Sequence, residues 1–65
     1  MQVLASDPSC INGNCPTIYL DEGRVMVQGT LRTSPDVTLA PGEALVEIPL
    51  ERLVEAARCL TSQNS

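Results

Sequence analysis

The amino-acid sequence predicts an α+β fold, in which a small three-stranded antiparallel sheet (a β-meander) carries one C-terminal helix packed on one face. Two observations predict this class. Short segments rich in β-branched residues alternate with turn-forming residues over most of the chain. The last quarter instead repeats apolar residues at helical spacing. Each element then buries the apolar side of the other.

Three segments are predicted to form the strands. The first two, residues 17–20 and 25–31, are joined by a turn at residues 21–24. Gly29 interrupts the second strand, which predicts a bulge or close packing under the helix. The third predicted strand covers residues 44–48 and follows a loop that contains two prolines. Strands that follow one another in the chain are expected to pair as neighbours, as in an antiparallel meander.

The first two strands are predicted to form a hairpin with a defined register. A four-residue loop at 21–24, built on a type I turn, places Leu20 opposite Val25 and Ile18 opposite Val27. All four side chains then point to one face, and a slip of one residue would turn half of them outward. This face is therefore the one expected to lie under the helix.

The C-terminal helix is predicted over residues 49–60, with Pro49 in the first position, where its missing N–H is tolerated. Residues 50, 53, 54 and 57 form one apolar stripe, which Leu60 prolongs. If this stripe lies on the sheet, Leu53→Ala costs about 2–5 kcal/mol. The predicted core comprises Ile18, Leu20, Val25, Val27, Val46, Ile48, Leu50, Leu53, Val54 and Ala57.

Chain length and composition predict one small domain. Sixty-five residues bury only about 60% of the surface of the unfolded chain, and without Phe or Trp the core is aliphatic. We expect a single domain at residues 10–61, an N-terminal arm at 1–9 and a frayed tail at 62–65. No signal-peptide pattern or apolar run of membrane-spanning length is present, so a cytoplasmic location with no membrane partner is expected.

The charge pattern argues against nucleic-acid binding and against catalysis. The net charge is −4, and four arginines are scattered among eight acidic residues, so no basic face is available for phosphates. With no histidine and no lysine, the usual catalytic triads and their lysine variants cannot be built. The glycines are dispersed and form no phosphate-binding loop. The sequence therefore predicts a protein that is not an enzyme and needs no cofactor.

Cys10 and Cys15 flank an Asn-Gly pair in the segment CINGNC. Asn-Gly favours a type I′ turn, which would bring the two cysteine Cα atoms to about 4.5 Å, within reach of a disulfide. Three interpretations remain open: free thiols, a structural or reversible disulfide, and metal binding. Zinc prefers four ligands, and the chain offers three cysteines and no histidine, so no metal site is predicted. Cys59 is predicted to be a small buried apolar residue.

The sheet face away from the helix is the predicted partner-binding surface. Tyr19 and Met26 face each other on it in the hairpin register, and Leu45 of the third predicted strand is expected to join them. Tyr and Met are favoured at interface centres, so this face is expected to form a homodimer or to bind a regulator. The alternative is that the N-terminal Val3 and Leu4 fold back over it.

The segment CPTIYLDEGRVMVQGT, followed by PGEALVEIP and a short helix, resembles small uncharacterised actinobacterial proteins that are often encoded beside helix-turn-helix regulators. The resemblance covers residues 15–58 and rests on Cys15-Pro16-Thr17, Val27-Gln28-Gly29 and Pro41-Gly42-Glu43. It implies a regulatory accessory role without a known activity. Two hypotheses follow: a non-catalytic protein-interaction protein, which could be the partner of a transcriptional regulator, or a thiol-based redox-sensing or metal-binding module using Cys10 and Cys15.

Overall fold

The structure is a computed structural model that describes residues 1–10 and 15–63. In these ranges five strands precede one helix: β1 (Gln2–Ser6), β2 (Thr17–Asp21), β3 (Arg24–Gln28), β4 (Thr30–Arg32), β5 (Leu45–Glu47) and α1 (Leu50–Gln63). Strands β1, β2 and β3 form an antiparallel sheet in that order, and β4 pairs with β5 in a second, two-stranded sheet. Helix α1 lies over the first sheet, with most of its contacts on β1.

The predicted α+β class, with a three-stranded antiparallel sheet and a C-terminal helix packed on it, is confirmed. The membership of the sheet differs from the prediction. Its third strand is β1, which was expected to be part of an arm, whereas the segment predicted as the third strand becomes β5 and pairs with β4. Helix α1 also continues to Gln63, into the predicted tail.

The predicted hairpin register is confirmed. Leu20 pairs with Val25 and Ile18 with Val27 in the β2–β3 ladder. The connecting loop is shorter than expected, because the ladder extends to the ends of both strands and leaves only Glu22 and Gly23 between them. Their φ angles are 51° and 79°. A type I′ turn requires positive φ at both central residues, and its twist matches that of the flanking strands.

A β-bulge in β1 buries two consecutive residues of that strand. The β1–β2 register shifts between Val3 and Ala5, so that Leu4 and Ala5 together oppose Ile18. In a regular strand two consecutive side chains would point to opposite faces. The bulge allows both to be buried, with exposed fractions of 6% for Leu4 and 2% for Ala5.

The buried core is smaller than predicted and uses another side of α1. It consists of Leu4, Ala5, Ile18 and Ala56, and the partly buried residues packed against it are Leu20, Ile48, Cys59 and Leu60. The expectation that Leu50, Leu53, Val54 and Ala57 face the sheet is wrong, since all four are exposed. Val25, Val27 and Val46, also predicted as core, are exposed as well.

Arg52 contributes to this orientation of the helix. Its Nη1 donates a hydrogen bond to the carbonyl oxygen of Ser6 at 2.8 Å and lies 2.9 Å from a carboxylate oxygen of Glu55. The Arg52 side chain is therefore held against the end of β1, on the same side of the helix as Ala56. A charged side chain occupies a position on the sheet side that the apolar pattern alone would leave to solvent.

Gly29 divides the predicted long strand into β3 and β4. A side chain at this position would place Cβ 2.5 Å from the Glu47 carbonyl oxygen and 2.8 Å from Cγ2 of Ile48. The close packing predicted for Gly29 is therefore present, but against the backbone of β5 and not under the helix.

The core assignment predicts opposite outcomes for two truncations. Ile18→Ala removes a fully buried side chain and should lower the free energy of unfolding by about 2–5 kcal/mol. Leu53→Ala, at an exposed position, should change it by only about 0.5 kcal/mol. Urea unfolding followed by far-UV circular dichroism measures both. A larger loss of stability for Leu53→Ala than for Ile18→Ala would contradict the burial of the Ala56 side and show that the Leu53 side of α1 faces the sheet.

The packing at Gly29 predicts that Gly29→Ala destabilises the second sheet. The added Cβ meets backbone atoms, which cannot rotate away, so a loss of about 1–3 kcal/mol is expected from the forced shift. Gly42→Ala is a control, because a Cβ there meets nothing within 4 Å and only its positive φ of 87° opposes the change. Amide chemical shifts of β4 and β5 should move in Gly29→Ala alone. Unchanged shifts in these strands would contradict the close approach.

Candidate functional site

The outer helix stripe, defined as Leu50, Leu53, Val54 and Ala57, is the largest apolar feature that α1 presents to solvent. Leu50 is 71% exposed, Leu53 56% and Val54 41%. At 3.6 residues per turn, this stripe lies roughly a third of a turn from the buried side of the helix. Its members recur at i, i+3, i+4 and i+7, the spacing with which an amphipathic helix fills an apolar groove.

Charged side chains border the outer helix stripe. Glu51, Glu55 and Arg58 line a shallow depression together with Leu50 and Val54. Glu55 is neutralised in part by its ion pair with Arg52, whereas Glu51 is exposed in the first turn of the helix. The border is therefore of mixed sign with an acidic excess, and it matches the net charge of −4.

A row of three side chains crosses the sheet on the face away from the helix. Val3 pairs with Tyr19 in the β1–β2 ladder, and Tyr19 pairs with Met26 in the β2–β3 ladder, so that the three side chains lie next to one another. The Tyr19 hydroxyl donates a hydrogen bond to the Oε1 atom of Gln28 at 3.0 Å. The structure thus brings together two of the three predicted partner-binding residues and adds Val3 to them. In the alternative expectation, Leu4 folds back over this face together with Val3. It is instead buried in the core.

Leu45 does not belong to this row. It lies in β5, where it pairs with Arg32 of β4, so the expectation that it projects from the same sheet as Tyr19 and Met26 is wrong. Instead Leu45 lines an open groove of the second sheet with Arg32 and Val46. The physical reason is the break at Gly29, which lets β4 leave the first sheet and take β5 as its partner.

Cys10 and Cys15 are joined by a disulfide, and Cys59 is free. The Cα atoms of the linked pair are 5.8 Å apart, in the usual range for a disulfide and wider than the turn geometry predicted. The predicted Asn12-Gly13 turn lies outside the described residues. Both linked cysteines are partly exposed, and Cys59 is partly buried beside the core, as expected for a small apolar residue.

A hydrogen-bonded turn holds the backbone in front of the disulfide. The amide and hydroxyl of Ser9 donate to Oδ1 of Asp7 at 3.0 and 2.7 Å, and the amide of Cys10 donates to the Asp7 carbonyl at 3.2 Å. The two bonds from Ser9 hold the pKa of the Asp7 carboxyl below its ordinary value of 3.8. On the other side of the disulfide, the Thr17 hydroxyl donates to the Cys15 carbonyl at 2.9 Å.

Within residues 1–10 and 15–63, no three Cys, Asp or Glu side chains come close enough to share a metal ion. Over the same ranges α1 falls short of the length and apolar character of a membrane-spanning helix. The features that distinguish this surface are its apolar side chains.

Comparison with known proteins finds no matching family, no similar curated protein and no similar solved structure. The assignment of a site therefore depends on the geometry of this chain alone.

The outer helix stripe is visible in the sequence as an apolar pattern, which predicted a core position and not an exposed surface. A signal against that assignment was present on the same helix. Ala56, Cys59 and Leu60 extend the apolar residues around more than one side of α1, and the sheet side of a helix often carries its smaller residues where the backbones approach. A helix with two apolar sides can bury one and present the other.

The disulfide predicts a defined pattern of thiol reactivity. Without reductant, alkylation after unfolding should modify Cys59 alone, and with reductant all three cysteines. Cys10→Ser, Cys15→Ser should lower the free energy of unfolding by about 2 kcal/mol, the loop entropy for a link of this length. Cys59→Ala, which keeps the link, is the matched control for alkylation. Peptide mapping that found Cys59 linked to Cys10 or Cys15 would contradict the pairing.

Proposed function

We propose that this protein is a small non-catalytic accessory protein that binds a partner protein through the outer helix stripe. The observation that supports it is the exposure of Leu50, Leu53 and Val54 on a helix whose other side is already packed on the sheet. Contiguous exposed apolar surface on a small protein is typical of interaction sites.

The spacing and the border of the stripe indicate the kind of partner. Leu50, Leu53, Val54 and Ala57 suit insertion into an apolar groove, in which successive turns of the helix fill successive pockets. Glu51 and Glu55 favour a groove bordered by basic side chains, because opposite charges at the rim speed association and fix orientation. The finer proposal is that the partner is a transcriptional regulator, as the resemblance of residues 15–58 implies, and that the complex acts in the cytoplasm.

A second candidate function is a thiol-based switch. The observation that favours it is the position of the Cys10–Cys15 disulfide, whose partly exposed residues a reductant can reach. Reduction would free the Cys10 and Cys15 thiols without opening the core, to which neither residue belongs. Equilibration in glutathione buffers of defined ratio, with alkylation as the readout, tests this function. A disulfide that remains oxidised at cytosolic glutathione ratios would contradict the switch and indicate a structural role.

The principal proposal predicts that Leu50→Ser, Leu53→Ser abolishes partner binding and leaves the fold intact. The variant should keep its circular dichroism, because both positions are exposed, and lose the proteins captured by the wild type from its native host. Val37→Ser, Leu39→Ser is the matched control, since these loop residues are 44% and 42% exposed and lie outside the stripe. The control should retain every partner.

Three outcomes separate the surfaces. Loss of a partner in the helix variant alone supports the proposal, and a DNA-binding regulator among the lost partners supports its finer form. Loss of a partner in the Tyr19→Ser, Met26→Ser variant alone would show that the partner binds the sheet face and not the helix stripe. Identical capture by wild type and helix variant would overturn the assignment of the stripe.

A further inference from the structure

The outer edge of β3 carries backbone groups with which no strand in residues 1–10 and 15–63 pairs. β3 is the last strand of the sheet order β1-β2-β3, and its ladder with β2 is regular over all five residues. In the two-residue hairpin, Asp21 and Arg24 are the hydrogen-bonded pair that closes the turn, and such pairs then alternate along the ladder. Arg24, Met26 and Gln28 therefore point their N–H and C=O groups to β2, whereas Val25 and Val27 point theirs to the free edge.

Among the residues that the structure describes, none of the devices that usually protect an edge strand is present at this edge. Natural proteins block such edges with bulges, prolines, lysines or covering segments. The other edge strand, β1, has its bulge at Leu4, is contacted by α1 and ends two residues before Pro8. β3 instead offers the consecutive apolar residues Val25, Met26 and Val27, which are 54%, 47% and 42% exposed. A regular, apolar and exposed edge of this kind favours strand addition.

The accessible surface of the chain is large enough to accommodate an interface with a further subunit. Its accessible surface is 5224 Å², whereas a monomeric protein of 6.9 kDa is expected to expose about 4,000 Å². Its radius of gyration is 13.2 Å, compared with about 10.7 Å for a compact domain of 65 residues. A stable interface removes about 800 Å² from each partner, so the excess is sufficient for one.

We propose that β3 pairs antiparallel with β3 of a second copy of this chain, across a two-fold axis at Met26, to form a continuous six-stranded sheet. Val25 then lies opposite Val27 of the second copy, and these two residues form two N–H···O=C hydrogen bonds with each other. The two-fold axis repeats the same pair of bonds between Val27 and Val25 of the second copy. This is the register that pairs all five residues while joining edge-facing groups to edge-facing groups. It is self-complementary, as a two-fold interface requires.

The side chains agree with this register. Arg24 lies opposite Gln28 of the second copy, so no like charges oppose each other directly. Met26 meets Met26 of the second copy, which joins the two rows of Val3, Tyr19 and Met26 into one apolar row across six strands. On the helix side, Val25 and Val27 of the two copies cover one another. The inference uses a surface separate from the outer helix stripe and is independent of the proposed function.

The test removes one edge-facing N–H and keeps the fold. Val25→Pro deletes an amide that makes no bond to β2, and proline is tolerated at such edge positions. Val25→Thr is the matched control, because it keeps the amide and the β-branched shape. Sedimentation equilibrium should give wild type and Val25→Thr a mass of twice 6.9 kDa, and Val25→Pro half of that, with unchanged circular dichroism.

Hydrogen exchange on the wild-type protein tests the same pairing without a substitution. The Val25 and Val27 amides should exchange more slowly as protein concentration rises, and the Met26 amide, bonded to β2, should be protected throughout. The proposal would be overturned by a wild-type mass of 6.9 kDa or by a dimeric Val25→Pro variant. It would also be overturned if the exchange rates of the edge amides did not depend on protein concentration. Leu50→Ser, Leu53→Ser should remain dimeric, so failure of the dimer and failure of the proposed function give different results.

Discussion

The packing of Ile18 between the sheet and the helix is the contact on which the rest of the structure depends. Its side chain, 2% exposed, is opposed by Leu4 and Ala5 through the bulge and belongs to the same buried cluster as Ala56. Two of these four residues are alanines, and such small side chains permit the helix to pack on the β1 side of the sheet. This places α1 mainly over β1 and leaves the valines of β3 uncovered. The exposed surfaces are thus a consequence of where a small core could form.

The sequence could predict the α+β class and the hairpin register, because both follow from local patterns. Alternating apolar residues in two neighbouring segments admit one register that keeps Ile18 and Leu20 on a common face. The buried side of α1 could not be predicted in the same way. Its apolar residues cover more than half of the helix circumference, and periodicity fits more than one side. Packing against the bulge, together with the bond from Arg52 to Ser6, selects the side that contains Ala56.

The third strand was missed for a different reason. In a regular strand apolar residues alternate, but the bulge buries two consecutive residues, Leu4 and Ala5, and removes that signal from a short segment. The predicted position of Leu45 was wrong because of Gly29. This glycine lies close to the Glu47 carbonyl, and β5 therefore pairs in a second sheet. Both errors concern which segments become neighbours in space, and tertiary packing decides this where single-sequence patterns are weak.

Tyr19 gives the molecule an unusual optical property. It is the sole aromatic residue of the chain, and it lies on the sheet face away from the helix with its hydroxyl bonded to Gln28. Ultraviolet absorbance and intrinsic emission therefore originate mainly from one position, between Val3 and Met26. Such signals report events at this face directly, whereas rearrangements around the outer helix stripe leave them almost unchanged. The protein thus contains a native spectroscopic probe for this exposed apolar surface.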